Sequence, residues 1–294
     1  MDNKVRAKEL IEGSIDFHIH TGPDVFPRLV NDIEAAKQAK EAKMKAILLK
    51  NHVTGTGDRA QIASQVVGFP VFGGIALNLP VGGVNPQAVE MALRMGAKEV
   101  WMPTIHAAHY LKEVDNVPMF AKLLKSGIKG INLLNQDGSL TNGVREVLAL
   151  IAQYDGIMAT GHISIQEAMA LVPEAKKIGV KKIVVTHPLS PMENYSINDM
   201  KEILARGATM LEHVVNDITH QMKNPIPASK IAEAIKALGP ETAIMSTDSG
   251  QVINPAPVCS MENFIREMLD HGIPEKDIIL MTRDNPAGML GIQA

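Results

Sequence analysis

The sequence predicts one (β/α)8 TIM barrel, a single α/β domain over residues 1–294. Three observations predict it: eight short apolar runs, amphipathic stretches between them, and a repeat of roughly 25–35 residues, the length of one strand–helix unit. The runs fall at 15–20, 46–52, 71–77, 99–103, 156–162, 182–187, 208–213 and 243–248. Each is rich in Val, Ile, Leu or Met, as expected for parallel strands covered on both faces. Helical patterns occupy 30–43, 86–95, 166–178, 197–206 and 229–238, and several stop just before the next strand, at Gly96, Gly179, Gly207 and Gly239.

The gap between Pro103 and Gly156 holds a further candidate strand, 128–134, followed by the tight-turn sequence Asn135-Gln136-Asp137-Gly138. Residues 128–140 read as a small hairpin inserted between strands four and five. A competing reading makes 128–134 the fourth barrel strand and moves 99–103 aside. Two closing helices follow strand eight, at 261–271 and 284–290.

Composition narrows the function. A net charge of −3 over 294 residues gives no electrostatic reason to expect nucleic acid or a membrane surface, and six Phe, three Tyr and one Trp offer little base stacking. Cys259 is the only cysteine, which excludes an intrachain disulfide and a cysteine-based zinc finger. The charged N-terminal stretch has no secretion-type apolar run, and no segment approaches the ~20 apolar residues of a membrane span. The expectation is a soluble, cytoplasmic protein acting on a small molecule, with a homo-oligomer left open.

The chemistry is concentrated in histidine. In Asp16-Phe17-His18-Ile19-His20, strand alternation sends Asp16, His18 and His20 to one face and Ile15, Phe17 and Ile19 to the other. In a barrel the polar set would face the axis. Two imidazoles two residues apart on one face can chelate one cation; the alternative is a pair of surface histidines on an edge strand. Of ten histidines, His18, His20, His52, His162, His187 and His213 close predicted strands, and His106 and His109 sit in the loop after strand four. The C-terminal rim of a barrel is where the βα loops converge on an active site. Asp248 closes strand eight, next to strand one after closure. There it can ligate a metal and accept a proton, or simply cap the following segment.

The order HxH on strand one, His on strands five and six, and Asp on strand eight resembles the amidohydrolase superfamily. His18, His20, His162, His187 and Asp248 match it residue by residue, and Asn285-Pro286-Ala287…Leu290-Gly291 is similar to a segment after the last strand in many members. More narrowly, Phe72-Gly73-Gly74-Ile75, Trp101-Met102-Pro103-Thr104 and Thr160-Gly161-His162 look like an uncharacterised amidohydrolase-related family. The resemblance implies a hydrolase that activates water on a divalent cation, most readily Zn²⁺, to cleave an amide, ester, lactone or related bond. One metal is preferred and two are open.

The sequence departs from the binuclear pattern at strand four, which ends Val100-Trp101-Met102-Pro103-Thr104 without the bridging lysine or glutamate. Candidates for a second-metal or substrate ligand are therefore Lys50, His52, Glu212, His106, His109 and Arg28. Lys50, within an apolar strand, can be carboxylated, act as a cation that holds an anionic substrate, or snorkel to the rim. Asp248 is the expected base, with His187 or Lys50 stabilising the developing oxyanion. DFHIHT also resembles the first motif of the polymerase and histidinol phosphatase family of phosphoesterases, but that family's late Asp-x-His is replaced by Asp248-Ser249-Gly250. A metal-containing barrel without catalysis, serving as sensor or scaffold, is the reading from another class.

Overall fold

The computed structural model describes residues 2–114, 124 and 127–293. Eight parallel strands form one sheet in the order β1 to β8: Ile15–His20, Ala46–Lys50, Val71–Ala76, Glu99–Trp101, Ile157–Ala159, Lys182–Val185, Met210–Val214 and Ala243–Ser246. The barrel closes through Ile19 and Ser249, with His20 N donating to Ser249 O at 2.8 Å and Asp248 N donating to His18 O at 2.9 Å. All eight expected strands are present, several ending one to three residues earlier than the apolar runs do. The last apolar residues are already turning into the loops that carry the site.

Helices lie between the strands where the 3.6-residue pattern places them, at Asp32–Glu41, Pro86–Arg94, Ile165–Ile178, Ile197–Arg206 and Ala228–Leu238. Their starts are fixed locally. Asn31, Ser164 and Ser196 each accept from the backbone N–H three residues on, while the acid at that third position reaches back to the cap N–H.

Two apolar layers result. Ile47, Leu49, Val100, Met158, Ile183, Val185, Leu211 and Met245 face outward into the core against the helices. A separate inner cluster combines Ile15, Phe17, Leu48, Trp101, Ile157, Val184 and Ile244, joined by Met289 and Leu290 of the closing helix Asn285–Leu290.

Strand β1 corrects the expected alternation. Its register with β2 runs Asp16 to Ile47 and then Ile19 to Leu49, three residues against two, which is a β-bulge. Ile15 and Phe17 therefore join the inner cluster, whereas Ile19 packs with the outer one. Asp16 leaves the axis and binds Thr247 through its hydroxyl at 2.6 Å and its backbone N–H at 3.0 Å. Beyond the bulge, His18 and His20 return to the interior.

The insertion between β4 and β5 is slighter than a two-stranded hairpin. Leu134 and Leu140 form one antiparallel bridge around the Asn135–Gly138 turn, and Ile131 makes a single parallel bridge to Ala107. Glu99–Trp101 is the fourth barrel strand, so the competing assignment of 128–134 does not hold.

Candidate metal centre

Closure of β1 on β8 brings three of the expected ligands together. Asp248 Oδ1 lies 3.2 Å from His18 Nε2 and 3.0 Å from His20 Nε2. Asp248 sits at φ 53°, a left-handed conformation rarely taken by a non-glycine residue, and its carbonyl accepts from Asn216 Nδ2 at 2.6 Å and Gln251 Nε2 at 2.8 Å. Two residues on, Gly250 passes so close to β1 that a Cβ would lie 1.7 Å from the His20 carbonyl oxygen. Only glycine fits there, and the tight turn is what aims the carboxylate at both imidazoles.

The other two histidines meet opposite. His162 N donates to Pro103 O at 3.0 Å, and Gly161 (φ 61°) leaves no room for a side chain against Met102 O. His187 follows β6 at φ 22°. Their Nε2 atoms face each other at 3.3 Å. The rings of His18 and His187 stack at 6.3 Å between centroids, so all four imidazoles converge on one chamber.

Carboxylates behind these rings set which nitrogen points inward. Glu212, on β7, takes His18 Nδ1 at 3.2 and 3.3 Å through its two oxygens, and Glu193 takes His187 Nδ1 at 3.1 Å. A carboxylate on Nδ1 fixes the proton there and leaves Nε2 as a basic ligand, the arrangement seen behind metal-bound histidines. His18 Nε2 is buried and makes no aligned hydrogen bond of its own. Imidazole nitrogens and one hard carboxylate oxygen turned toward one another in this way fit a divalent cation. Two triplets qualify geometrically, His18, His20 and Asp248, and His162, His187 and Glu193, the candidate atoms of each lying within 4.8 Å of one another.

Without a cation, His162, His20 and His187 titrate differently. Burial, the neighbouring Lys50 and His187 hold His162 well below the ordinary imidazole range, and burial and Arg28 do the same for His20. Burial lowers His187 too, but Glu193, with Asp217 and Asp248, more than offsets it and brings its pKa to about 9, so a cation at its Nε2 would have to displace a proton. Burial pushes the Asp248 carboxyl up, yet His18, His20 and His187 together hold it well below the usual carboxylate range, so it is ionised.

The remaining candidates divide. Lys50 lies on the inner face of β2 in register with His20, fully buried, its ammonium 5.2 Å over the Trp101 ring and without a hydrogen-bond partner among the described residues. Trp101 occupies the space that the missing side chain of Gly74 leaves. Desolvation lowers the Lys50 pKa against the pull of Asp248, Glu212 and Glu99. His52 lines the chamber, stacked on His20 at 4.7 Å, with Nδ1 2.9 Å from Thr104 Oγ1. Arg28 reaches in from the β1 loop, donating to His20 Nδ1 at 3.3 Å and to Asp24 at 2.8 Å. Glu212 stands behind His18, not at the cation position. His106 and His109 do not line the chamber; His109 Nε2 lies 2.9 Å from Met192 O. His213, on the opposite face of β7 from Glu212, points away as well.

Sequence reasoning did not single out Glu193, nor the chamber walls Tyr110, Met192, Gln221, Met222 and Gln251. Only the question of which carboxylate holds the Nδ1 proton of His187 could have led to Glu193, six residues downstream.

A family model described as "Family of unknown function (DUF6282)" matches residues 13–211. The chain belongs to that family. The matched region carries His18, His20, His162 and His187 and ends before Glu212 and Asp248. No curated protein matches the sequence. Among solved structures, an amidohydrolase from Pseudomonas aeruginosa is 14% identical with a TM-score of 0.60, the alignment covering 98% of both chains. The probable dipeptidase PvdM from the same organism is 12% identical with a TM-score of 0.63, again over 98% of both. A mutant of a Deinococcus radiodurans PTE-like lactonase is 13% identical, with a TM-score of 0.60 over 97% of both. At such identities the likeness shows a shared barrel fold, the one the motif order implied.

Proposed function

We propose that this DUF6282 member is a metal-dependent hydrolase that holds one divalent ion, Zn²⁺ first among the candidates, between His18, His20, His162, His187 and Asp248. The observation that carries the reading is the convergence of four Nε2 atoms and one carboxylate oxygen on a single buried chamber, two of the imidazoles backed by carboxylates. A divalent ion there would lower the pKa of a water toward ~7 and polarise the bond to be broken.

The chain's own groups do the rest. Asp248, ionised and facing the chamber, accepts the proton of the attacking water on its carboxylate and returns it to the leaving group. Lys50 places an amino group with no hydrogen-bond partner among the described residues near the developing oxyanion. Glu212 and Glu193 keep His18 and His187 in the tautomer that presents Nε2. The bond cleaved is of the amide, ester or lactone class.

A second ion between His162, His187 and Glu193 is the alternative favoured by one observation, that this triplet has ligand geometry of its own beside that of His18, His20 and Asp248. Metal analysis of protein purified without chelator, with His18→Ala and Asp248→Asn variants, tests the reading alongside a hydrolysis screen over lactones, cyclic amides and phosphoesters. About one ion per chain, lost in His18→Ala, with hydrolysis abolished in Asp248→Asn, is the expected result. An Asp248→Asn protein with full metal and undiminished hydrolysis overturns Asp248 as the base. Two ions per chain favour the alternative.

A further inference from the structure

The chamber at the metal centre has room for only about 20 Å³, less than any organic substrate needs beyond its reacting group. The remainder of a substrate must lie on the surfaces that frame the mouth. Two of these are the loops after β1 and β8, which are tied together: Arg28 and Gln251 pair as an antiparallel bridge, and Leu29 N donates to Gly250 O at 2.8 Å. Both reach the centre, Gln251 by lining the chamber and Arg28 by donating to His20.

Between Thr21 and Val30 on one loop, and between Gln251 and Ala256 on the other, every exposed residue is apolar. Pro23, Val25, Pro27 and Leu29 alternate outward on one, and Val252, Ile253 and Pro255 face out on the other. Val25 and Ile253 are 63% and 62% exposed. The loop charges are hidden, since Arg28 and Asp24 pair with side chains at most 1% accessible. An open groove of about 390 Å³ continues from this surface past Asn51, the neighbour of His52, with Pro23, Val25 and Val53 on its apolar side and Thr54, Asp58 and Arg59 on its polar side. The first loop is held in shape by Gly22 N donating to Val30 O at 2.9 Å, so the apolar surface is preformed. A continuous exposed apolar surface beside a site marks something that binds there.

We infer that the substrate carries an apolar tail, and that Val25, Leu29, Val252 and Ile253 form the platform on which that tail lies while its polar head enters the chamber. The inference rests on the hydrolase reading for the identity of the head. A fully buried methylene is worth about fourfold in binding, and one left half in water about twofold.

The test uses the Zn²⁺-loaded protein with carboxylic esters lengthened from four to eight carbons, in the acyl half in one series and the alcohol half in another. Binding of butyrate and octanoate is measured by calorimetry in parallel, independently of turnover. Four added methylenes are expected to raise kcat/KM in one series, and octanoate affinity over butyrate, by about fifteenfold. In Val252→Asp/Ile253→Asp the octanoate-to-butyrate ratio is expected to fall to about twofold, while in Val5→Asp, exposed on the helix Asn3–Leu10 that lines neither the chamber nor the groove, it stays at the wild-type value. Hydrolysis without chain-length preference in either series overturns the inference and leaves the hydrolase reading standing. An intact octanoate preference without hydrolysis of any ester does the reverse. A dimer in sedimentation that dissociates in Val252→Asp/Ile253→Asp also overturns it, because the surface would then belong to a second copy.

Discussion

Replacing Glu212 by Gln separates a group that holds a ligand from a group that is one. The two oxygens of Glu212 lie at nearly equal distances, 3.2 and 3.3 Å, from His18 Nδ1, so the anion as a whole accepts that proton. Glutamine keeps the shape and one acceptor oxygen but removes the charge, and the imidazole becomes a weaker base at Nε2. Losing such support behind a metal-bound histidine typically lowers affinity 10–100-fold, about 1.4–2.7 kcal/mol. His20, His162, His187 and Asp248 remain, so binding should weaken without vanishing. Competition against a chromophoric chelator would give Kd for Zn²⁺ in wild type, Glu212→Gln and His18→Ala, with circular dichroism checking the fold. The expected order is wild type tightest, then Glu212→Gln, then His18→Ala. A Glu212→Gln Kd within twofold of wild type would falsify the orienting role, and a loss beyond about a thousandfold would mean that Glu212 binds the ion itself.

Three further outcomes follow from the same structure. His213 is fully buried with both ring nitrogens unpartnered among the described residues, and burial lowers its pKa from 6.5 to about 4. A base depressed in the folded state leaves stability intact above pH 6.5 and erodes it as pH falls toward 4, by about 3 kcal/mol in all. Urea melts across that range should show the decline, and His213→Leu should lack this part of it; an equal decline in both proteins refutes the assignment. Gly250→Ala places a Cβ against the His20 carbonyl at φ 127°, so a loss of about 3 kcal/mol or more, or of bound metal, is expected. Wild-type stability and metal content in that variant would show that the turn has slack. Ion present at a hundredfold above Kd should stabilise the chain by about 2.7 kcal/mol, lost on adding chelator; an unmoved denaturation midpoint argues against any held ion.

The strands were legible because each is buried on both faces, and the fold then requires runs of Val, Ile, Leu and Met at regular intervals. The rim histidines were legible for a related reason: a barrel puts strand ends in one place, so His18, His20, His162, His187 and Asp248 could be gathered without coordinates. Strict alternation along β1 misread Phe17 and Asp16, because an extra residue in one strand shifts every facing after it and leaves no compositional trace. The same reasoning counted His213 with the rim, although it lies one residue past Glu212 and so faces the other way. Glu193 escaped because its loop returns to His187 through a path that no periodicity encodes. The segment 128–140 carries a true turn signal at Asn135–Gly138, but the chain around it is spent on single bridges to Ala107 and between Leu134 and Leu140 instead of a ladder.

The extra residue in β1 has a consequence for the depth of the chamber. Because Phe17 and His18 both face the axis, one strand supplies a hydrophobic stopper and, directly above it, a candidate cation ligand. Deleting one residue at the bulge would restore the regular pleat at a double loss: the stopper or the imidazole would swing out toward the helices, and a dry-bottomed cup would become a leaking or ligand-poor one.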